Sequence, residues 1–215
     1  MGILWWPDGS RYEGQWKRDK ANGYGKLFHV DGDMYEGQWR DDQAHGIGKY
    51  THANGAIYEG DWKFDKQEGF GVETWLDGAH YEGYFAAGKK DGKGHLVFSD
   101  GSQYKGQFRD NEIEGYGEYR WSDGKTYSGM WARNKMHGRG TLRWADGKVY
   151  AGSFVEDKRE GCGEFTWADG RRYVGEWKDG KQHGRGKYVS KEGVERTGWW
   201  EDGKRTRWED QENAT

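Results

Sequence analysis

The chain has 215 residues, among them 38 glycines, 14 tryptophans, 14 tyrosines and one proline, and its 34 Lys/Arg against 37 Asp/Glu leave a net charge of −3. Its 33 % hydrophobic content falls short of the roughly 45–50 % apolar residues of an ordinary layered domain. Yet 17 % aromatic residues exclude a disordered chain, and the single proline excludes collagen. An ordered chain stabilised by aromatic rings and repeated local structure remains. Cys162 stands alone, so no internal disulfide forms and a reducing compartment is expected. No apolar run approaches the roughly 18 residues of a membrane-spanning helix, and Met1 to Asp8 does not read as a signal peptide. A soluble, cytoplasmic protein is expected. Gly2 is no myristoylation site, because Trp6 stands where that motif needs Ser or Thr.

In chain order, the first element is part of a repeat, with Gly2 at a Gly-x-Gly position and Asp8-Gly9 at a turn. Tyr-x-Gly-x-Trp/Phe then begins at Tyr12, Tyr35, Tyr58, Tyr81, Tyr104, Tyr127, Tyr150 and Tyr173, in steps of 23 residues without an insertion. Counting each tyrosine as position 1, a Gly-x-Gly begins at position 12 and an Asp-Gly, once Asn54-Gly55, at position 20. A ninth unit starts in phase with Gly198 and Trp200, but Arg196 replaces its tyrosine and Arg207 and Glu209 replace its later glycines. The array therefore spans 1–203, with full repeats from Tyr12 to about Val194, and a charged tail follows over 204–215.

Each unit reads as a β-hairpin around its Asp-Gly, since glycine enters positive φ without a Cβ clash. One strand carries positions 1, 3 and 5; the strand before the turn carries positions 14, 16 and 18. Position 16 is Leu27, Tyr50, Glu73, Leu96, Tyr119, Leu142, Phe165 or Tyr188, and position 18 is Trp75, Phe98, Trp121, Trp144 or Trp167 in five units, with His29, His52 and Ser190 in the others. A three-residue loop puts both sets on one face. The register expected sets position 16 against the glycine at 3 and the glycine at 14 against the ring at 5, so that each ring covers bare backbone. Positions 2 and 4 face the other way and are mostly polar, and the stretch after position 5, such as Lys17 to Asn22, reads as a solvated connection. The expected fold class is all-β, an elongated, twisted single-layer array of β-hairpins, on the order of 80 Å long at about 4.8 Å per strand.

These residues resemble the MORN repeat (membrane occupation and recognition nexus). Its pattern of Tyr-x-Gly-x-Trp, Gly-x-Gly and Asp-Gly-x-x-Tyr is matched almost letter for letter from Tyr173 to Gly186. The resemblance implies binding and no activity, hence a non-enzymatic interaction scaffold. Similar arrays occur in cytoskeletal and ciliary scaffolds, in membrane-bridging proteins, and ahead of lipid kinases and a lysine methyltransferase.

Individual residues carry little chemistry of their own. Gly-x-Gly is followed by strand residues, as in Gly23-Tyr24-Gly25-Lys26-Leu27-Phe28, and lacks the third glycine and helix of a dinucleotide site. His45, His137 and His183 share position 11 but lie whole repeats apart, too far for one metal or catalytic pair. His29 and His52 read as polar substitutions on the aromatic face, and Cys162 fills the variable middle of a Gly-x-Gly. No catalytic residue, metal or cofactor is expected.

Two surfaces remain. The first is the aromatic face of Tyr35, Trp39, Tyr58, Trp62, Trp75, Tyr81, Trp121, Tyr127, Trp131, Trp144, Trp167, Tyr173 and Trp177, expected to form a groove for a partner helix, a cytoskeletal component or a second copy. The second is a basic stretch. Residues 1–124 carry 15 Lys/Arg against 22 Asp/Glu, net −7, whereas residues 125–191 carry 15 against 8, net +7. Arg133, Lys135, Arg139, Arg143, Lys148, Lys158, Arg159, Arg171, Arg172, Lys181, Arg185 and Lys187 would meet an acidic partner or acidic phospholipids such as phosphoinositides. No basic module for nucleic acid is recognisable. The leading expectation is a scaffold binding protein partners, and itself as a homodimer through unpaired edges at Ile3 to Trp6 and Thr197 to Trp200. The alternatives are a peripheral phospholipid-binding module and a regulatory array for a lipid kinase acting in trans. The expected setting is the cytoplasm, at the cytoskeleton, a cilium or the inner face of a membrane.

Overall fold

The structure, a computed structural model, describes residues 1–209 and divides into two units, one of Met1–Glu112 and one that begins at Ile113. Both are all-β meanders in which consecutive strands pair antiparallel. In the first unit these are β1 (Gly2–Trp5), β2 (Arg11–Lys17), β3 (Lys20–Phe28), β4 (Met34–Arg40), β5 (Gln43–Thr51), β6 (Ile57–Lys63), β7 (Lys66–Thr74), β8 (His80–Ala86), β9 (Lys89–Val97) and β10 (Gln103–Arg109). The second holds β11 (Glu112–Arg120) from its second residue on, β12 (Thr126–Ala132), β13 (Lys135–Arg143), β14 (Val149–Val155), β15 (Lys158–Thr166), β16 (Arg172–Lys178), β17 (Lys181–Val189), β18 (Glu195–Glu201) and β19 (Lys204–Trp208). The described residues contain no α-helix.

Every repeat holds two different hairpins. The Asp-Gly loop has three residues, as expected: His29 N–H donates to Asp33 O at 2.8 Å across Val30-Asp31-Gly32. Asp31 Oδ1 accepts from Asp33 N–H at 3.1 Å, and Gly32 closes the turn at φ 97°. The register differs from the expected one by two residues. Gly25 stands opposite Gly37, Leu27 opposite Tyr35 and Gly23 opposite Trp39, so glycine faces glycine and position 16 faces the tyrosine. Rings still cover bare backbone, but along the strand: a Cβ on Gly25 would come within 2.3 Å of the Tyr12 hydroxyl.

The presumed solvated connections are hairpins too. Lys17 pairs with Lys20, with Arg18 and Asp19 between them at φ 52° and 60°, a two-residue turn whose twist suits antiparallel strands. His45, His137 and His183 accordingly lie in strands β5, β13 and β17. The second turn residue, position 8, also ties neighbouring repeats together. Ala21 N–H donates to Asp42 Oδ1 at 2.7 Å, while Asp42 N–H donates back to Ala21 O at 3.0 Å. Asp65 and Asn111 in the first unit, and Asn134 and Asp157 in the second, accept the same bond.

The core of each unit is a single file of rings on one face. Tyr12 meets Trp16 and Trp39 edge-on with centroids 5.1 Å away in each case. The alternation continues through Tyr104–Phe108 in the first unit and from Tyr127–Trp131 to Tyr173–Trp200 in the second. Edge-to-face pairs contribute about 0.5–1.5 kcal/mol each beyond burial, which compensates for the missing second layer. The ladder ends at Trp208 of β19, where the guanidinium of Arg196, standing in the tyrosine position, lies 4.2 Å from the indole. The Thr197 to Trp200 segment is therefore no open edge, since β18 pairs with β17 and with β19, and the charged tail begins as a strand. Glu209 pairs with Arg185.

Candidate functional site

The face that carries the ladder also carries the half-buried tryptophans and a depression able to receive a ligand. Of the aromatic residues expected to form a groove, Tyr35, Tyr58, Tyr81, Tyr127 and Tyr173 are at most 2 % exposed, and Trp39, Trp62, Trp131 and Trp177 at most 9 %. Small glycine-only rungs let these rings lie flat on the sheet, and their polar atoms are consumed there. The Tyr58 hydroxyl donates to Asp61 O at 2.9 Å, and Trp62 Nε1–H donates to Gly48 O at 3.1 Å. Burial pushes the Tyr150 and Tyr173 phenols up to about 12, so they stay neutral donors across the physiological range. These nine residues are internal packing.

The other four, Trp75, Trp121, Trp144 and Trp167, are half-buried. They occupy position 18, just outside the strand ends, where the Asp-Gly loop begins. Trp121 packs on Tyr119 at 4.5 Å, Trp144 on Phe165 at 5.7 Å and Trp167 on Phe165 at 4.8 Å. In the second unit each is joined across its loop to a cation at position 22: Trp121 N–H donates to Lys125 O, Trp144 N–H to Lys148 O and Trp167 N–H to Arg171 O, all at 2.9 Å. Lys125 Nζ lies 4.0 Å from the Trp121 ring centroid and the Arg171 guanidinium 5.4 Å from that of Trp167. Beside them a depression of about 250 Å³ is lined by Arg159, Phe165, Trp167, Trp177, Lys181 and Gln182. Arg159 lies 4.4 Å from the Trp177 centroid and donates to Gly180 O; burial lowers its pKa.

In the first unit the same face is more polar. Lys90 Nζ lies over Trp75, Tyr81 and Phe85 and pairs with Glu73 at 2.5 Å. Further along, Tyr50 donates to Asp33 Oδ2 at 2.6 Å, and His52 Nδ1 lies 3.6 Å from the same carboxylate. The hydroxyl of Tyr50, then Ala53 N–H and the histidines, lower the Asp33 pKa. Sequence reading missed this pairing because Asp33 is the only aspartate at its repeat position, a signal visible only when position 22 is aligned. Among the described residues no group of His, Cys, Asp or Glu is placed to hold a metal ion.

The basic stretch does not converge. Arg139, Arg143, Arg172, Arg185 and Lys187 lie on the face opposite the ladder, Arg159 lies on the ladder face, and the rest sit at the two turn edges. Lys135, Lys148, Lys158, Arg171, Arg172, Lys181, Arg185 and Lys187 are each within 3.5 Å of a carboxylate. The opposite face is also less polar than expected, exposing Tyr24, Ile47, Phe70 and Tyr84. The middle residue of Gly-x-Gly was the available clue for the first three, and position 4 of its repeat for Tyr84.

A family model described as MORN repeat matches residues 1–11, 12–34, 35–57, 58–80, 81–103, 104–126, 127–149, 150–171 and 173–194. No curated protein matches the chain. Among solved structures, the wild-type TCP10 domain of Danio rerio CPAP is similar at 13 % identity, covering 96 % of this chain and 98 % of that one, with a TM-score of 0.52. The same domain in complex with a peptide of Danio rerio STIL covers 96 % of this chain and 92 % of that one at 13 % identity, with a TM-score of 0.55. At that identity the likeness is one of fold.

Proposed function

Because the chain belongs to the MORN repeat family, we propose that it is a non-catalytic scaffold whose ladder face binds protein partners along the position-18 tryptophans. One observation carries the proposal: after the sheet has used the position-1 and position-5 rings for its own core, Trp121, Trp144 and Trp167 remain half-buried in register, each with a cation across its loop. Surface tryptophans in a row beside basic groups are suited to anchoring a chain. The fold's capacity to hold a peptide is supported by the TCP10 domain, solved in complex with one. The setting proposed with it is the one the family resemblance suggests, a cytoskeletal, ciliary or membrane-adjacent assembly.

Affinity capture from extracts of the native cell tests this, comparing the wild type with a Trp144→Ala/Trp167→Ala variant whose urea midpoint is measured alongside. Loss of specific partners by a folded variant is the expected result. Partners retained in full by the folded variant would refute the assignment of this face.

A further inference from the structure

We propose that Arg159 and the rings around it form a pocket for one carboxylate side chain of a bound protein, an aspartate or glutamate whose apolar neighbour packs on Trp167. The inference rests on reading the ladder face as a docking surface and adds the residue which that surface selects.

The repeat itself isolates the feature. Position 10 stands opposite the position-5 ring, as Arg159 does opposite Phe154, and so lies on the ladder face. In the eight full repeats it is uncharged except at Lys90 and Arg159. Ala21, Ala44 and Ile113 are buried there, so the fold itself needs no cation at this place. Lys90 has an internal counter-ion: its ammonium lies 2.5 Å from the carboxylate of Glu73, at position 16 of the preceding repeat. Glu73 is the one acidic residue at position 16 of the eight repeats, and the equivalent residue for Arg159 is Leu142. Arg159 therefore has no carboxylate partner among the described residues, and it turns to the following repeat. Its guanidinium lies 4.4 Å from the ring centroid of Trp177 and 5.6 Å from that of Phe165, and it donates to Gly180 O. Among the described residues that is its one hydrogen bond, although a guanidinium carries five N–H groups in a planar fork that matches a carboxylate.

Size and charge narrow the occupant. The depression beside Arg159 holds about 250 Å³, below the roughly 300–1,000 Å³ of small-molecule sites, which suits a single side chain of a partner. Its other cation, Lys181, lies 3.5 Å from Asp202, and Arg171 next to Trp167 is held by Asp169 at 2.8 Å. One unpaired positive charge thus faces the space, matching a carboxylate, whereas a phosphate group of about −1.5 to −2 would stay half neutralised. Phe165 and Trp167 supply the apolar wall, where a hydrocarbon neighbour of the acid gains burial.

The test uses the full chain, isotope-labelled and read by NMR at the Arg159 Nε–H and at the Trp167 and Trp177 indole N–H resonances. The probe is a blocked Gly-Phe-Glu-Phe-Gly peptide, and its comparators carry glutamine, lysine or phosphoserine in place of the glutamate. The expected result is saturable binding of the glutamate peptide, weakened about tenfold or more by glutamine and lost with lysine. Arg159→Met, which folds because Met136 already stands at the equivalent position, abolishes the preference for glutamate over glutamine, followed at the tryptophan resonances. Arg139→Met, which removes a charge from the opposite face, leaves that preference unchanged. Equal binding of the glutamate and glutamine peptides, a preference that survives Arg159→Met, tighter binding of the phosphoserine peptide, or binding of none of the four would each overturn the proposal. In any of these cases, capture of partners that still depends on Trp144 and Trp167 would leave the docking face standing; capture indifferent to them would remove both.

Discussion

Tyrosine, and not phenylalanine, occupies position 1 in all eight full repeats because its hydroxyl has a backbone task. Gly23 at φ 81° interrupts the ladder between β2 and β3, and the carbonyl of position 4 at this bulge is satisfied by the phenol, as with Tyr12 and Gln15 O at 3.0 Å. Tyr58→Phe keeps the ring and strands the carbonyl of Asp61. It is expected to lower stability by about 1–3 kcal/mol, read as a shift in urea midpoint, while Tyr116→Phe at an exposed hydroxyl shifts it by less than about 0.5 kcal/mol. Equal costs would sink the assignment. Alkaline pH probes the same groups collectively. The unfolded phenols ionise near pH 10, whereas burial pushes Tyr104, Tyr150 and Tyr173 up to about 12. Between those values the unfolded chain has released protons that the native state retains. Stability is therefore fully present below about pH 10 and falls by about 1.4 kcal/mol per pH unit for each such tyrosine as pH rises towards 12. A urea midpoint that stays constant from about pH 9 to about pH 11.5 would contradict this. The ring positions were legible in the sequence; the hydroxyl's partner was not, because it depends on a bulge created by the backbone of Gly23.

At the scale of the hairpin, two positions separate what pattern reveals from what it hides. Position 8 is Asp, Asn or Gly in every repeat, from Asp19 to Gly203, and that restriction was the overlooked sign of a tight turn. The residue needs positive φ and, where it has a side chain, bonds to the preceding repeat. Asp65→Asn is expected to be nearly neutral, because Asn111 and Asn134 already make the bond. Asp65→Ala, which loses the bond and keeps φ near 63°, is expected to cost about 2–3 kcal/mol by thermal or urea unfolding. The rung glycines differ from the loop glycines in kind. A Cβ on Gly71 would meet the Tyr58 hydroxyl at 2.5 Å, but one on Gly78 meets nothing within 4 Å. Gly71→Ala should therefore cost about 3 kcal/mol or more through displacement of the ring, and Gly78→Ala only the strain of its positive φ, about 1–2 kcal/mol. The reverse order would mean that rings do not rest on the glycine rungs. The two-residue error in register has the same origin: large-beside-small pairing across strands is a reasonable use of glycine, but here the tyrosine lies along its own strand onto two facing glycines.

Across the whole chain the repeat never slips, and its recurring Asp-Gly turns between aromatic strands predicted an all-β array. Function was less legible, because periodicity cannot tell rings that fill the core from rings left at the surface. Nine of the thirteen aromatic residues singled out belong to the core; the four at position 18 do not. The charge bias along the sequence was equally ambiguous, since linear clustering over 125–191 becomes dispersal over two faces and two edges. Vesicles of anionic lipid are accordingly expected to retain little protein at about 0.15 M salt, where the Debye length is about 8 Å. Strong sedimentation at that salt would restore the basic stretch as a membrane surface. The division between ladder and row is the central claim, and oxidative footprinting of individual tryptophans in the native protein tests it directly. Trp75, Trp121, Trp144 and Trp167 are expected to oxidise readily, while Trp39, Trp62, Trp131 and Trp177 stay protected until the chain unfolds. Oxidation of the second group as fast as the first would contradict the account.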